Sequence, residues 1–255
     1  MDPTVHLPLA QIAANDPKYG RRLHEFLARL RDATYDVEDI WQFVAFAMPL
    51  VRKSKAQLFQ DLWALWVSNE RRGGYFVEFG AANGVFLSNT YMLEKEMGWR
   101  GVVSEPNPMF LDSIKANRDC EISTKCVFSS SGQSLKFLAT PKGEFSRLAD
   151  VNPGDGHEPT RRATFTELMI ESISLNDLLV EHRAPQCIDY LSIDTEGSEF
   201  QILEQFDFDR WDVRAITVEH NFMPMREALY DLLTSKGYRR WWPELSRFDD
   251  WYVKG

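Results

Sequence analysis

Apolar positions recur at helical spacing through the first seventy residues of this chain and change to short runs thereafter. Asp16-Pro17 supplies an N-cap followed by proline at the first helical position. Leu23, Phe26, Leu27 and Leu30 then share one helix face, and Ile40, Trp41, Val44, Ala45 and Met48 repeat the pattern. Ser54 and Gln57 have capping-box spacing and predict a third helix with Leu58, Leu62, Leu65 and Trp66 inward. Arg71-Arg72-Gly73-Gly74 ends this region as a flexible turn. Beyond it, apolar runs alternate with helical patterns, the signature of a βαβ sheet. Strands are predicted at 75–79, 101–104 and 126–129, with an added strand at 135–138. Further strands follow at 164–173, 188–193 and 215–218. Helices are predicted around Thr90, Leu93 and Met97 with Gly98 as the stop, and from Pro108 through Leu111 and Ile114. Two more cover 174–180 and 224–236, the latter with Leu229, Leu232 and Leu233 inward and Gly237 as C-cap. Segments 238–242 and 248–253 close the fold as an antiparallel pair. Residues 141–162, rich in Pro, Gly, Asp and Arg, read as a lid over a site or as a solvated insertion. The pattern divides the chain into a helical extension, 1–72, and an α/β domain, 73–255.

Composition narrows the class. With 44% hydrophobic and 26% charged residues over 255 positions, disordered and fibrous classes are excluded. The net charge is 29 − 38 = −9, which argues against broad nucleic-acid binding. Cys120, Cys126 and Cys187 form no CxxC, so neither a disulfide framework nor a zinc–cysteine site is expected, and a cytoplasmic location fits. The start shows no basic segment followed by an apolar core. The most apolar stretch, 40–51, is too short for the roughly twenty residues of a spanning helix and is interrupted by Pro49. It reads as a buried helix, with a membrane-surface contact or a homo-oligomer contact as alternatives.

The first predicted strand runs into Phe76-Val-Glu-Phe-Gly-Ala-Ala-Asn-Gly84, and Glu105 ends the second strand twenty-one residues after Gly84. Glycine permits a sharp turn and close ligand approach. A carboxylate at the second strand's end can accept hydrogen bonds from both ribose hydroxyls of an adenosine. Gly80 and Gly84 form GxxxG, not the GxGxxG of a dinucleotide fold, and no Gly-Lys-Ser/Thr follows, which excludes a P-loop. Glu78 would repel a pyrophosphate but would suit a cationic sulfonium carrying an amino group. The plain alternative is a glycine turn with a surface acid.

These motifs, together with Ser54-Lys-Ala-Gln-Leu-Phe-Gln-Asp61, Ser88-Asn-Thr-Tyr91, Leu93-Glu-Lys95, Gly98-Trp-Arg-Gly101, Glu105-Pro-Asn-Pro108, Ile193-Asp-Thr-Glu-Gly-Ser-Glu199 and Val218-Glu-His-Asn221, resemble the FkbM family of S-adenosylmethionine-dependent methyltransferases. The resemblance covers about residues 54–255. It implies a class I methyltransferase fold, Rossmann-like, with a seven-stranded mostly parallel sheet whose last strand is antiparallel. It implies cofactor contacts at Glu78, Gly80, Ala81, Asn83, Gly84, Ser88, Asn89, Glu105 and Pro106. Ser129 and Ser130 fall where such folds hold the adenine, although an acid or amide is commoner there. The implied acceptor is a glycan or another small hydroxyl-bearing molecule.

Asp194, Glu196 and Glu199 leave the 188–193 strand, and Glu219, His220 and Asn221 leave the next, so both groups reach one sheet edge. A hydroxyl acceptor needs a base for its proton or a metal to lower its pKa. Asp194, His220 and Glu196 are the catalytic candidates, with Asp194 and His220 as rival bases. Mg²⁺ on Asp194, Glu219 and Asn221 is a further option. The plainer readings are helix N-terminal charges for Glu196 and Glu199 and a structural role for His220. Trp241 and Trp242 read as sheet packing or a sugar shelf, and Arg161-Arg162 as a loop end or an anion clamp.

Overall fold

The apolar runs after Gly74 assemble into a seven-stranded sheet. Its strands are β1 (Tyr75–Phe79), β2 (Arg100–Ser104), β3 (Glu121–Ser123), β8 (Cys187–Ile193), β9 (Asp212–Glu219), β10 (Tyr238–Trp241) and β11 (Asp249–Lys254), with β4 to β7 lying in a second sheet. The order is β10-β11-β9-β8-β1-β2-β3. Strands β9, β8, β1, β2 and β3 are parallel, and β11 runs antiparallel between β9 and β10. Val77, Leu191 and Ile216 are at most 1% exposed, as expected of parallel strands covered on both faces. The computed structural model describes residues 38–151 and 164–255, with Arg21, His24, Glu25 and Ala28. Asp16-Pro17, the stripe from Leu23 to Leu30 and Arg161-Arg162 lie outside the described residues, as does the later part of the predicted loop. Among the described residues no helix is long and apolar enough to cross a membrane.

The chain leaves β1 for β2 and β3 on one side and returns to β8 and β9 on the other. Strand order therefore reverses between β1 and β8, the point at which open α/β sheets form a ligand crevice at their carboxyl ends. Helices α3 (Tyr91–Met97), α4 (Leu111–Asn117), α5 (Leu175–Glu181), α6 (Glu199–Glu204) and α7 (Met225–Ser235) connect the strands; α1 (Glu38–Ala47) and α2 (Gln60–Val67) precede them. Asn107 caps the 3-10 turn Pro108–Phe110 ahead of α4, Ser174 caps α5 and left-handed Gly98 ends α3.

The segment expected as the third strand of the main sheet takes another place. Its core, β4 (Cys126–Phe128), pairs with β7 (Thr166–Ser174) in a second sheet of order β4-β7-β5-β6, where β5 is Ser134–Ala139 and β6 is Arg147–Leu148. The third main-sheet strand is β3, an edge strand with the single apolar residue Ile122, which explains its faint pattern. Cys126 is apolar in context because it packs with Phe137, Leu148 and Val151 between the layers of the small sheet.

The helix predicted from Ser54 starts later, at Gln60. The Ser54 hydroxyl donates to Asp61 (2.6 Å), as do the backbone N–H groups of Lys55 and Leu62, so residues 54–59 fold back on a buried carboxylate instead of forming a helical turn. Contacts divide the chain into two compact units, Met1–Ala45 and Phe46–Gly255, so α2 lies in the second. Trp63 meets Trp251 with ring centroids 5.2 Å apart, and Trp66 meets both Trp241 and Trp242. This aromatic packing places α2 against the antiparallel end of the sheet, ahead of the 72/73 boundary that the sequence pattern suggests.

Candidate active site

The carboxyl ends of β1, β2 and β8 and the start of β11 surround a cleft of about 1010 Å³, its open mouth included. Of the residues expected at a site, Glu78, Gly80, Asn89, Glu105, Pro106, Asp194 and Glu196 line this cleft. Ala81, Asn83, Gly84, Ser88, Ser129, Ser130, Glu219, His220 and Asn221 are not among its lining residues.

The turn after β1 is built from contacts more than from open space. Gly80 has φ +74°, and a Cβ there would run into the carbonyl oxygen of Asp194. Glycine is required at this position because the β1 turn packs on the end of β8, not only because a ligand needs room. Asn83 accepts from the N–H groups of Val85 and Phe86 and so shapes the loop. Gly84 rests against the Arg118 side chain.

Glu78 is not a free anion. Its carboxylate accepts from the Ser88 hydroxyl (2.9 Å), the Asn89 N–H (2.6 Å) and the Thr90 hydroxyl (2.5 Å), and pairs with Arg118 at 3.3 Å. Arg118 is fully buried and also holds Glu94 at 2.5 Å. This network fixes residues 88–90 and sets Asn89 in the cleft wall. Asn89 donates its amide to Ser192 (2.9 Å), and among the described residues no group donates to its buried Oδ1. An orphaned acceptor in a cleft wall suits a ligand ammonium or hydroxyl.

Glu105 receives one backbone N–H on each carboxylate oxygen, from Ala82 (3.0 Å) and Asn107 (2.8 Å). Burial, with the Asp194 charge adding to it, pushes its pKa up to about 7. Across the cleft, Cys126, Val127, Phe137 and Leu148 supply an apolar wall from the small sheet. These residues, not Ser129 and Ser130, face the cleft, and Ser130 instead bonds Gln133 and Ser172. Residues 143–148 of the predicted loop contribute Gly143, Ser146 and Leu148 to the same rim.

The acidic edge is crowded. Glu199 accepts from Thr195 N–H, Thr195 hydroxyl and Gly197 N–H at 2.9–3.0 Å, so it holds the 194–198 turn in place. Glu196 adopts φ +60°, a costly backbone state for a residue with a side chain. Burial first, then the charges of Asp194, Glu196, Glu199 and Asp249, push Glu219 well above the usual carboxylate range. Burial also pushes Asp249 up to about 8, against the hydrogen bond from Gln60 (2.5 Å). Gln57, Gln60, Phe248 and Asp249 all line the cleft, although the sequence pattern singled out none of them as a site residue.

His220 is not among the residues that line the cleft. It is 1% exposed, its Nδ1 accepts from the Phe222 N–H (2.9 Å), and its Nε2 sits 3.6 Å from Asp250. Burial alone would raise Asp250, but His220 and Arg226 pull it down to about 2. The histidine therefore fixes the 219–223 turn. Asn221 has φ +46° and donates its backbone N–H to Phe248, a turn position outside the acidic group.

The buried carboxylates set a pH dependence. Burial holds Asp61 at about 6 and Glu105 at about 7, above their ordinary values of 3.8 and 4.5. The folded chain therefore binds more protons than the unfolded chain between those limits, and stability falls as pH rises through them. Asp250, depressed to about 2, acts below this window. The melting temperature is expected to drop between pH 5 and about 7.5. Glu105→Gln should flatten part of that drop; a flat or rising profile in the parent protein would contradict the assignment.

Residues 78–240 match the family model described as the Methyltransferase FkbM domain. No curated protein matches the chain. Among solved structures, a precorrin-6y C5,15-methyltransferase from Geobacter metallireducens is similar at 11% identity and TM-score 0.41, over 76% of this chain and 85% of that one. A protein assigned as an RNA methyltransferase from Pyrococcus horikoshii is similar at 10% identity and TM-score 0.37, over 76% and 81%.

Proposed function

Since the chain belongs to the FkbM methyltransferase family, we propose that it is an S-adenosylmethionine-dependent O-methyltransferase acting on a sugar or another small hydroxyl-bearing acceptor. The methyltransferase fold itself implies the cofactor. The observation that carries the reading is one cleft with two chemical ends: a fixed carboxylate, Glu105, at the end of β2, and an acidic edge headed by Asp194 at the end of β8.

The residues present fit the cofactor. Glu105 spends one lone pair of each oxygen on backbone and keeps the others for ribose hydroxyls. Asn89 Oδ1 is an acceptor for the ammonium of the amino-acid part, and Cys126, Val127 and Phe137 offer an apolar seat for the adenine. Glu78 acts one step back, as the residue that positions Asn89. S-adenosylmethionine supplies a methyl group on a sulfonium sulfur, and its transfer to a hydroxyl oxygen leaves a neutral thioether and frees the hydroxyl proton. Asp194 takes that proton or orients its path, because it lines the cleft just past the end of β8. Holding the acceptor oxygen in line contributes much of the acceleration.

Glu105→Ala should weaken binding of S-adenosylhomocysteine by losing up to two charge-assisted hydrogen bonds, about 1.5–3 kcal/mol each before water compensates. Calorimetry on the folded variant checks this, and unchanged affinity would remove Glu105 from the site. A nicotinamide-dependent oxidoreductase would use the same carboxylate on ribose, but the family match and the missing GxGxxG favour methyl transfer. Incubation with S-adenosylmethionine and a panel of sugars and hydroxylated small molecules, read by mass, tests the acceptor class: the expected product gains one methylene mass on oxygen. Methylation of nitrogen or carbon acceptors alone would overturn that part of the reading.

A further inference from the structure

Three acids at the sheet's carboxyl edge form a group whose chemistry goes past binding a cofactor. Asp194 ends β8, Glu196 follows on a left-handed residue and Glu219 ends β9. One carboxylate oxygen from each lies within 4.8 Å of the others. That spacing suits oxygen ligands around one hard cation, which sit on opposite sides of it when the metal–oxygen distance is about 2.0–2.6 Å. The second, independent sign is Glu219 itself. It is 8% exposed, and its Oε2 has no hydrogen-bond partner among the described residues. A buried carboxylate oxygen with no donor is costly and calls for a positive partner. The nearby charges are acids: Asp194, Glu196, Glu199 and Asp249 all act on Glu219. Glu199 is engaged by Thr195 and Gly197, and Asp249 by Gln60.

We infer that Asp194, Glu196 and Glu219 form a binding site for one divalent cation of the Mg²⁺ class at the acidic edge of the cleft. Three carboxylate ligands leave coordination positions for water or an acceptor hydroxyl, because such cations take six or more oxygens. Asp194 binding through one oxygen keeps its other oxygen for the acceptor's proton. The inference rests on the methyltransferase reading for its purpose, but not for its geometry. It adds Glu196 to the Asp194 and Glu219 that the sequence pattern suggested together with Asn221.

Paramagnetic resonance with Mn²⁺ on the full chain tests this without turnover. The parent protein should remove one equivalent of Mn²⁺ signal, and Mg²⁺ should compete for it. Glu196→Gln and Glu219→Gln should each weaken Mn²⁺ binding by about 10–100-fold. Glu196→Gln also removes a charge from a crowded anionic group, so it should not melt below the parent in metal-free buffer. Glu196→Gln, at the cleft rim, keeps the test decisive if the buried Glu219 variant folds poorly. Absence of Mn²⁺ binding, or binding unchanged in Glu196→Gln, would overturn the site. Calorimetry with S-adenosylhomocysteine on the same samples separates the two claims. Nucleoside binding without Mn²⁺ binding would end the cation inference and leave the methyltransferase reading standing. Mn²⁺ binding without nucleoside binding would do the reverse.

Discussion

Asp194→Asn should lower methyl transfer by about 10²–10⁴-fold, the usual span for general acid–base help, while affinity for S-adenosylhomocysteine stays within about twofold. The substitution nearly preserves shape. The backbone carbonyl of Asp194, which packs under Gly80, is untouched, so the β1 turn and the cofactor's seat survive. What changes is the charge and the ability to accept a proton in the cleft wall past the end of β8. Measuring kcat and nucleoside affinity on the same folded variant checks the split. His220→Ala belongs in the same assay. That side chain bonds Phe222 and faces Asp250, so its loss should act on stability more than on turnover. Full activity in Asp194→Asn with a large loss in His220→Ala would move the base to the histidine. Full activity in both would take the catalytic centre away from this edge.

Arg118→Met should destabilise the fold by about 3–5 kcal/mol, because it takes the buried cation away from two buried carboxylates. Arg118 is fully buried at the C-cap of α4. Its guanidinium reaches Glu94, Glu78, the Thr90 and Ser88 hydroxyls and the Gly84 carbonyl. Glu78 would lose its cation, Glu94 would keep only Lys95, and the Gly84 carbonyl would lose its hydrogen bond from the guanidinium. Urea unfolding of the variant reads the loss. Adding Glu94→Gln should recover part of it, since that second change removes one of the stranded charges. A loss under about 1 kcal/mol would show that this network is not what holds the β1 turn.

Much of the sheet was legible because its central strands are continuous apolar runs. β1, β8 and β9 stand out in the sequence for the same reason that Val77, Leu191 and Ile216 are buried. Edge strand β3 was not, since Glu121 and Ser123 flank a single apolar residue. The small sheet was misplaced because β4 is just as apolar as a main-sheet strand and follows β3 after two residues. At the site, Glu105 and Asp194 could be picked out as acids at strand ends. Gln57, Gln60 and Asp249 could not. They come from the start of α2 and of β11, and Gln60 and Asp249 meet across 189 positions of chain. The role of Glu78 escaped for a similar reason. Its acid at the turn was plain, but the arginine that neutralises it lies 40 residues later at the end of α4. His220 reads from the sequence as a rival base or a structural residue, and its hydrogen bond to Phe222, which ties it into a turn, is not visible there.

Isothermal titration of the full chain with S-adenosylhomocysteine tests the central claim most directly. The cleft between Glu105 and Asp194 should bind one equivalent per chain, with affinity of micromolar order, about −8 kcal/mol. Binding should weaken in Glu105→Ala and persist in Asp194→Asn. No heat and no thermal shift in the folded parent protein would contradict the account, and equal affinity in all three proteins would place the cofactor elsewhere.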